Sequence, residues 1–126
     1  MTHPALPIIQ APMFLLSGPE MVIASAKAGI IGSFPTPNTR TADELEQWLI
    51  TITTALTAPE HRQSWAINLI MHPSYPRRES GLELGVRYRA PMVITALRIP
   101  RQASDAVNSY GGKVYGHVIT LDFAKK

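Results

Sequence analysis

The chain has 126 residues, enough for one domain with a packed core. Apolar residues make up 45% and charged residues 17%, which excludes a disordered chain. A net charge of +3 without a basic, aromatic-interleaved stripe points away from nucleic acid, and the absence of cysteine excludes disulfides, thiolate catalysis and Cys-based zinc sites.

The first element is a short apolar run, Pro7-Ile8-Ile9-Gln10, expected to be a strand. It ends on a polar, a tiny and a cyclic residue, Gln10-Ala11-Pro12, followed by Met13. A strand that only filled a core would not need that ending. Ser17 and Glu20 have capping-box spacing and predict a helix running to about Ala28, stopped by Gly29. A second strand is expected over 30–33. Thr41 and Glu44 repeat the capping box, and Leu45, Trp48, Leu49, Ile52 and Leu56 follow helical spacing until Pro59 ends the run.

"WAINLI" at 65–70 predicts a third strand. Residues 71–81, rich in Pro, Gly and charge, read as a loop that includes Arg77 and Arg78. A weaker helix is expected over 82–88, a strand over 92–97, and a helix over 102–110 that stops at Gly111-Gly112. A last strand over 113–118 precedes a helix that begins after Thr120. The strands are apolar on consecutive positions, the pattern of parallel strands covered on both faces. Alternating strands and helices at this spacing fit an open doubly wound sheet or a (β/α)₈ barrel.

In both architectures ligands bind where the strands end. The residues there are Gln10 to Met13, Ser33, Asn68, Thr95 and His117. Asn68 interrupts an apolar run and needs hydrogen-bond partners, from a structural network or from a ligand. His117 is either a rim histidine bonded to backbone or a donor to a phosphate or a ring. No G-x-G-x-x-G or P-loop pattern occurs, which argues against the usual nucleotide sites. His61 and His72 read as loop residues without metal-ligand spacing, so no metal is expected. Trp48 and Trp65 read as core. The opening "MTHPALP" has no signal-peptide pattern, and no apolar run nears the roughly 18–20 residues that span a bilayer, so a cytoplasmic protein without a membrane partner is expected.

Four stretches carry a family resemblance: "PIIQAPM" at 7–13, "AGIIGSF" at 28–34, "WAINLI" at 65–70 and "APMVITALRIPRQASDAVNSYGGKVYGHVITLDFAKK" at 90–126. Together they resemble the nitronate monooxygenase family, the 2-nitropropane dioxygenase-like flavoproteins. The resemblance implies an α/β fold of (β/α)₈ TIM-barrel type, present here as about the first five βα units in one domain over 1–126. It implies FMN as cofactor, and an oxidoreductase that oxidises alkyl nitronates with O₂. Ala11, Pro12 and Met13 match the strand-one tip beside the flavin ring, and Asn68 matches a flavin-bonding Asn. His117 falls where the family has a Lys or an acidic residue near the flavin, and so departs from its pattern. The family's catalytic His follows strand six and its phosphate-binding glycines follow strands seven and eight. This chain contains neither, so it is expected to be inactive alone, with a homo-oligomer or a separate C-terminal half as its partner. The alternatives are a related FMN barrel reductase of the enoyl-acyl carrier type, which shares the opening motif, and a non-catalytic truncated fragment.

Overall fold

A computed structural model of the chain describes residues 4–97 and 101–125. Apolar runs and helical stretches alternate as their periodicities dictate. The strands are β1 (Gly32–Pro35), β2 (Trp65–Ile70), β3 (Met92–Ala96) and β4 (Lys113–His117). The helices are α1 (Pro19–Lys27), α2 (Ala42–Ala55), α3 (Pro59–Arg62), α4 (Arg78–Arg87), α5 (Arg101–Asn108) and α6 (Leu121–Ala124), with a 3₁₀ turn over Thr36–Asn38.

The four strands form one parallel sheet in the order β1-β2-β3-β4. Neighbours in sequence are therefore neighbours in the sheet, with no reversal of direction. Right-handed crossovers that always step the same way leave every crossover helix on the same face. The core bears this out. Val22 and Ala26 of α1, Leu45, Leu49 and Ile52 of α2, Leu84 of α4 and Val107 of α5 pack with Phe34, Ile67, Leu69 and Val93 of the sheet. A doubly wound sheet would carry helices on both faces. The opposite face holds only a small cluster, Ile31, Ala66 and Met92 with Ile94 against it. The fold is thus α/β, a segment of a (β/α)₈ barrel whose helices coat the outside and whose inner face is open.

The sequence expectation over 7–10 is reduced to a single parallel bridge, Ile9 to Ile31. Ile31 N–H donates to Ile8 O and Gln10 N–H to Ile31 O before the chain turns away. Ser17 does not cap α1. The N-cap is Gly18 with no side-chain bond, while Ser17 is buried and bonds into the preceding turn. Gly29 stops α1 as expected: at φ +86° its N–H reaches Ala26 O, and Ile30 N–H reaches Ser25 O. The second capping residue behaves as expected, with Thr41 Oγ1 accepting from Glu44 N–H at 3.1 Å.

Two helices start where the sequence reading placed loop. Pro59 ends the run of α2 but also opens the single turn α3, which carries His61. α4 begins at Arg78, four residues before the expected start. Gly81 and Gly85 lower its helix propensity, yet both are there for packing. A Cβ at Gly85 would come within 2.4 Å of Ile67 Cδ1, and one at Gly81 within 3.2 Å of Leu69 Cδ2. Gly32 is tighter still, since a Cβ there would lie 2.3 Å from the Val22 carbonyl oxygen and α1 could not lie against β1. Trp65 is buried, and the half-buried Trp48 packs edge-on against Phe34 at 5.5 Å.

Candidate functional site

The strands all end at one side of the sheet, and the chain leaves the Ile9 bridge there first. Gln10 explains how. Its backbone N–H completes the pairing with Ile31, and its side-chain Oε1 then accepts from Ser33 N–H at 3.0 Å. The side-chain amide extends the ladder by one step while the backbone departs. Ser33 Oγ donates back to Gln10 O. Gln10 Nε2 donates to Ser17 Oγ at 3.0 Å and also to Ala11 O.

Ser17 Oγ in turn accepts from Met13 N–H at 2.9 Å. The Met13 carbonyl accepts from Asn38 Nδ2 at 3.1 Å. The polar backbone of the turn is thus largely satisfied from beneath. Ala11 stays exposed, Pro12 and Met13 are part-buried, and Ala11 N–H and the Pro12 carbonyl make no hydrogen bond to a described residue.

Asn68 lies two strands away, in register with Pro35 of β1 and Ile94 of β3. Alternation puts Asn68 on the inner face with Ala66 and Ile70, while Ile67 and Leu69 enter the core. Its Nδ2 donates to Ile94 O at 3.0 Å, and its own carbonyl accepts from Thr36 Oγ1 at 3.2 Å. Oδ1 makes no hydrogen bond to a described residue. Asn68 therefore takes part in the structural network the sequence left open, through its Nδ2, while its Oδ1 has no bond to a described residue.

His117 ends β4, level with Ala96 of β3, and is exposed. By the same alternation it shares the inner face with Lys113 and Tyr115. Thr95 is fully buried among the core side chains on the helix side, and Ser33 is consumed by Gln10, so neither is offered to a ligand. The part of the resemblance motif at 98–100 lies outside the described residues.

Asn38 is a participant that the sequence reading did not single out. Besides Met13 O, its amide donates to Ser17 O at 2.8 Å and accepts from Leu15 N–H at 2.9 Å. The only sequence signal was an Asn in a Pro-rich turn, "PTPNTR".

Displaced proton affinities lie elsewhere. Burial pushes the Tyr110 hydroxyl up to about 12. Hydrogen bonds donated to the Glu46 carboxylate raise both Tyr88 and Arg87 above their ordinary values. Two grooves also lie elsewhere. A groove of about 890 Å³ runs between α4 and α5, lined by Met71, Leu82, Val86 and Ala103. Another of about 490 Å³ sits at the strand starts, beside Trp65, Arg89 and Tyr110. The strand tips instead form an open shelf. Among the described residues no three His, Asp or Glu side chains gather as a metal site.

The shelf fits the flat part of a flavin. The small, exposed Ala11 allows close approach of a ring, and Asn68 Oδ1 can accept from a ring N–H. A phosphate finds no glycine nest or helix N-terminus among these residues.

No family model matches the chain, and no curated protein matches it in sequence. Solved structures do match. FabK from Thermotoga maritima superimposes with a TM-score of 0.78 at 18% identity, over 98% of this chain and 36% of that one. A mutant of the same protein gives 0.78 and 18% over 98% of this chain and 38% of its own. At that identity the likeness is one of fold. The chain spans little more than a third of the solved chains it matches.

Proposed function

We propose that this chain forms the ring-facing part of an FMN site in a barrel oxidoreductase. The observation that carries the reading is the pairing of two strand ends. One offers the exposed Ala11 with an unbonded N–H and the unbonded Pro12 carbonyl, and the other an Asn68 whose Oδ1 has no bond to a described residue. Bound flavin would supply the electron transfer, which no side chain here can perform. Ala11 leaves room for the ring, Pro12 fixes the turn, Met13 gives a soft apolar contact, and Asn68 orients the ring edge. His117, exposed at the end of β4, would donate to the ring or its tail. The phosphate-binding glycines and the catalytic His that the motif resemblance implies would come from further βα units or from a partner chain.

Two reactions suit such a site. The sequence motifs favour oxidation of alkyl nitronates with O₂. The likeness to FabK lies nearer to the enoyl-acyl carrier reductase alternative, by fold alone. Titration of the chain with FMN tests the shared part. Saturable quenching of flavin fluorescence that is lost in Asn68→Leu is expected, and an unquenched signal would refute it. Where flavin binds, nitronate-dependent O₂ uptake supports the first reaction and nicotinamide oxidation the second.

A further inference from the structure

The turn over residues 13–17 is held by polar bonds and not by its apolar side chains. Phe14, Leu15 and Leu16 are 64%, 78% and 69% exposed, so burial of apolar surface does not hold it. Leu15 sits at φ +63°, where a residue with a Cβ is disfavoured by roughly 1–2 kcal/mol. The turn closes on itself through Leu16 N–H and Ser17 N–H to Met13 O and through Met13 N–H to Ser17 Oγ, and one amide from the loop after β1 adds three more bonds. Asn38 accepts from Leu15 N–H and donates to Met13 O and Ser17 O, at 2.9, 3.1 and 2.8 Å. Only a side-chain amide supplies both an acceptor and two donors at this length. A carboxylate would keep the acceptor and repel both carbonyls.

We propose that Asn38 is a positioning residue for the flavin site. It touches no ligand. It acts through the turn, bonding Met13 O while Ser17 bonds Met13 N–H and Gln10 bonds Ser17 and Ala11 O, which leaves Ala11 N–H and Pro12 O without a bond to a described residue. This rests on the flavin reading above. It adds that the ring-facing backbone is set before the ring arrives, which lowers the ordering cost of binding.

The test compares wild type, Asn38→Asp, and Asn38→Asp combined with Leu15→Gly, all as the full chain. The measurements are FMN titration, the position of the flavin's visible band at saturation, thermal unfolding, and hydrogen exchange at Leu15 N–H. Asn38→Asp is expected to speed exchange at Leu15, lower the Tm, weaken FMN binding tenfold or more and shift the band. Leu15→Gly relieves the left-handed backbone, so it should recover Tm without recovering FMN affinity. A merely structural Asn38 would see both recover together, which would overturn the proposal. So would an Asn38→Asp chain that binds FMN like wild type, leaving the flavin reading intact. If wild type itself does not bind FMN, the flavin reading fails and takes this proposal with it.

Discussion

At the scale of single residues, Gln10 shows both what a sequence can disclose and what it cannot. A polar residue at the end of an apolar run is visible as an oddity. That its amide continues the ladder to Ser33 is not, because the partner lies 23 positions on and only the fold brings it close. Ser17 misleads for the opposite reason. Its spacing to Glu20 is that of a capping box, but the buried turn outcompetes the helix for its hydroxyl. Asn38 left almost no trace, since its three bonds reach back 21 to 25 residues. Ala11 gives the cleanest test of the shelf. Its side chain is exposed, so Ala11→Trp should leave Tm and circular dichroism unchanged while blocking FMN quenching. Unaltered quenching would remove Ala11 from the site.

At the scale of elements, the departures from expectation have packing causes. The early start of α4 was hidden by Gly81 and Gly85, which read as helix-weakening but let the helix lie against Ile67 and Leu69. The far end of α4 closes with Arg89 N–H on Val86 O and Ala90 N–H on Gly85 O, the arrangement that usually has glycine at its left-handed position. Arg89 takes that position at φ +48°. It is exposed and has no described ion pair, so little is lost with its side chain. Arg89→Gly should stabilise the chain by about 0.5–1 kcal/mol, read as a rise in Tm. A fall would mean that the guanidinium contributes more than the backbone strain costs. Tyr110, after α5, donates to Ala90 O at 3.0 Å. Its folded affinity for the proton lies near 12, above the ordinary value of 10. The unfolded chain therefore ionises first as pH rises, and stability should fall between about pH 10 and 12. Tyr110→Phe should lose about 1 kcal/mol at neutral pH from the missing bond and show a flatter decline. Chemical denaturation across that range measures both.

At the scale of the whole molecule, the alternation of strands and helices was legible because parallel strands and amphipathic helices have different periods. Which of two architectures they build was not. That choice depends on whether successive crossovers keep stepping the same way, and no local pattern records it. The structure resolves it through the uninterrupted strand order and the one-sided core. The same geometry leaves Tyr115 exposed on the inner face and directs the four strand ends, and the chain leaving the Ile9 bridge, to one side. The account's central claim is that this side receives a flavin ring. Backbone amide shifts of the ¹⁵N-labelled chain, followed during FMN addition, test it most directly. Changes concentrated at 11, 13, 33, 34, 36, 38, 68 and 117 are predicted. Changes gathered instead at the groove between α4 and α5, or none at saturating FMN, would contradict it.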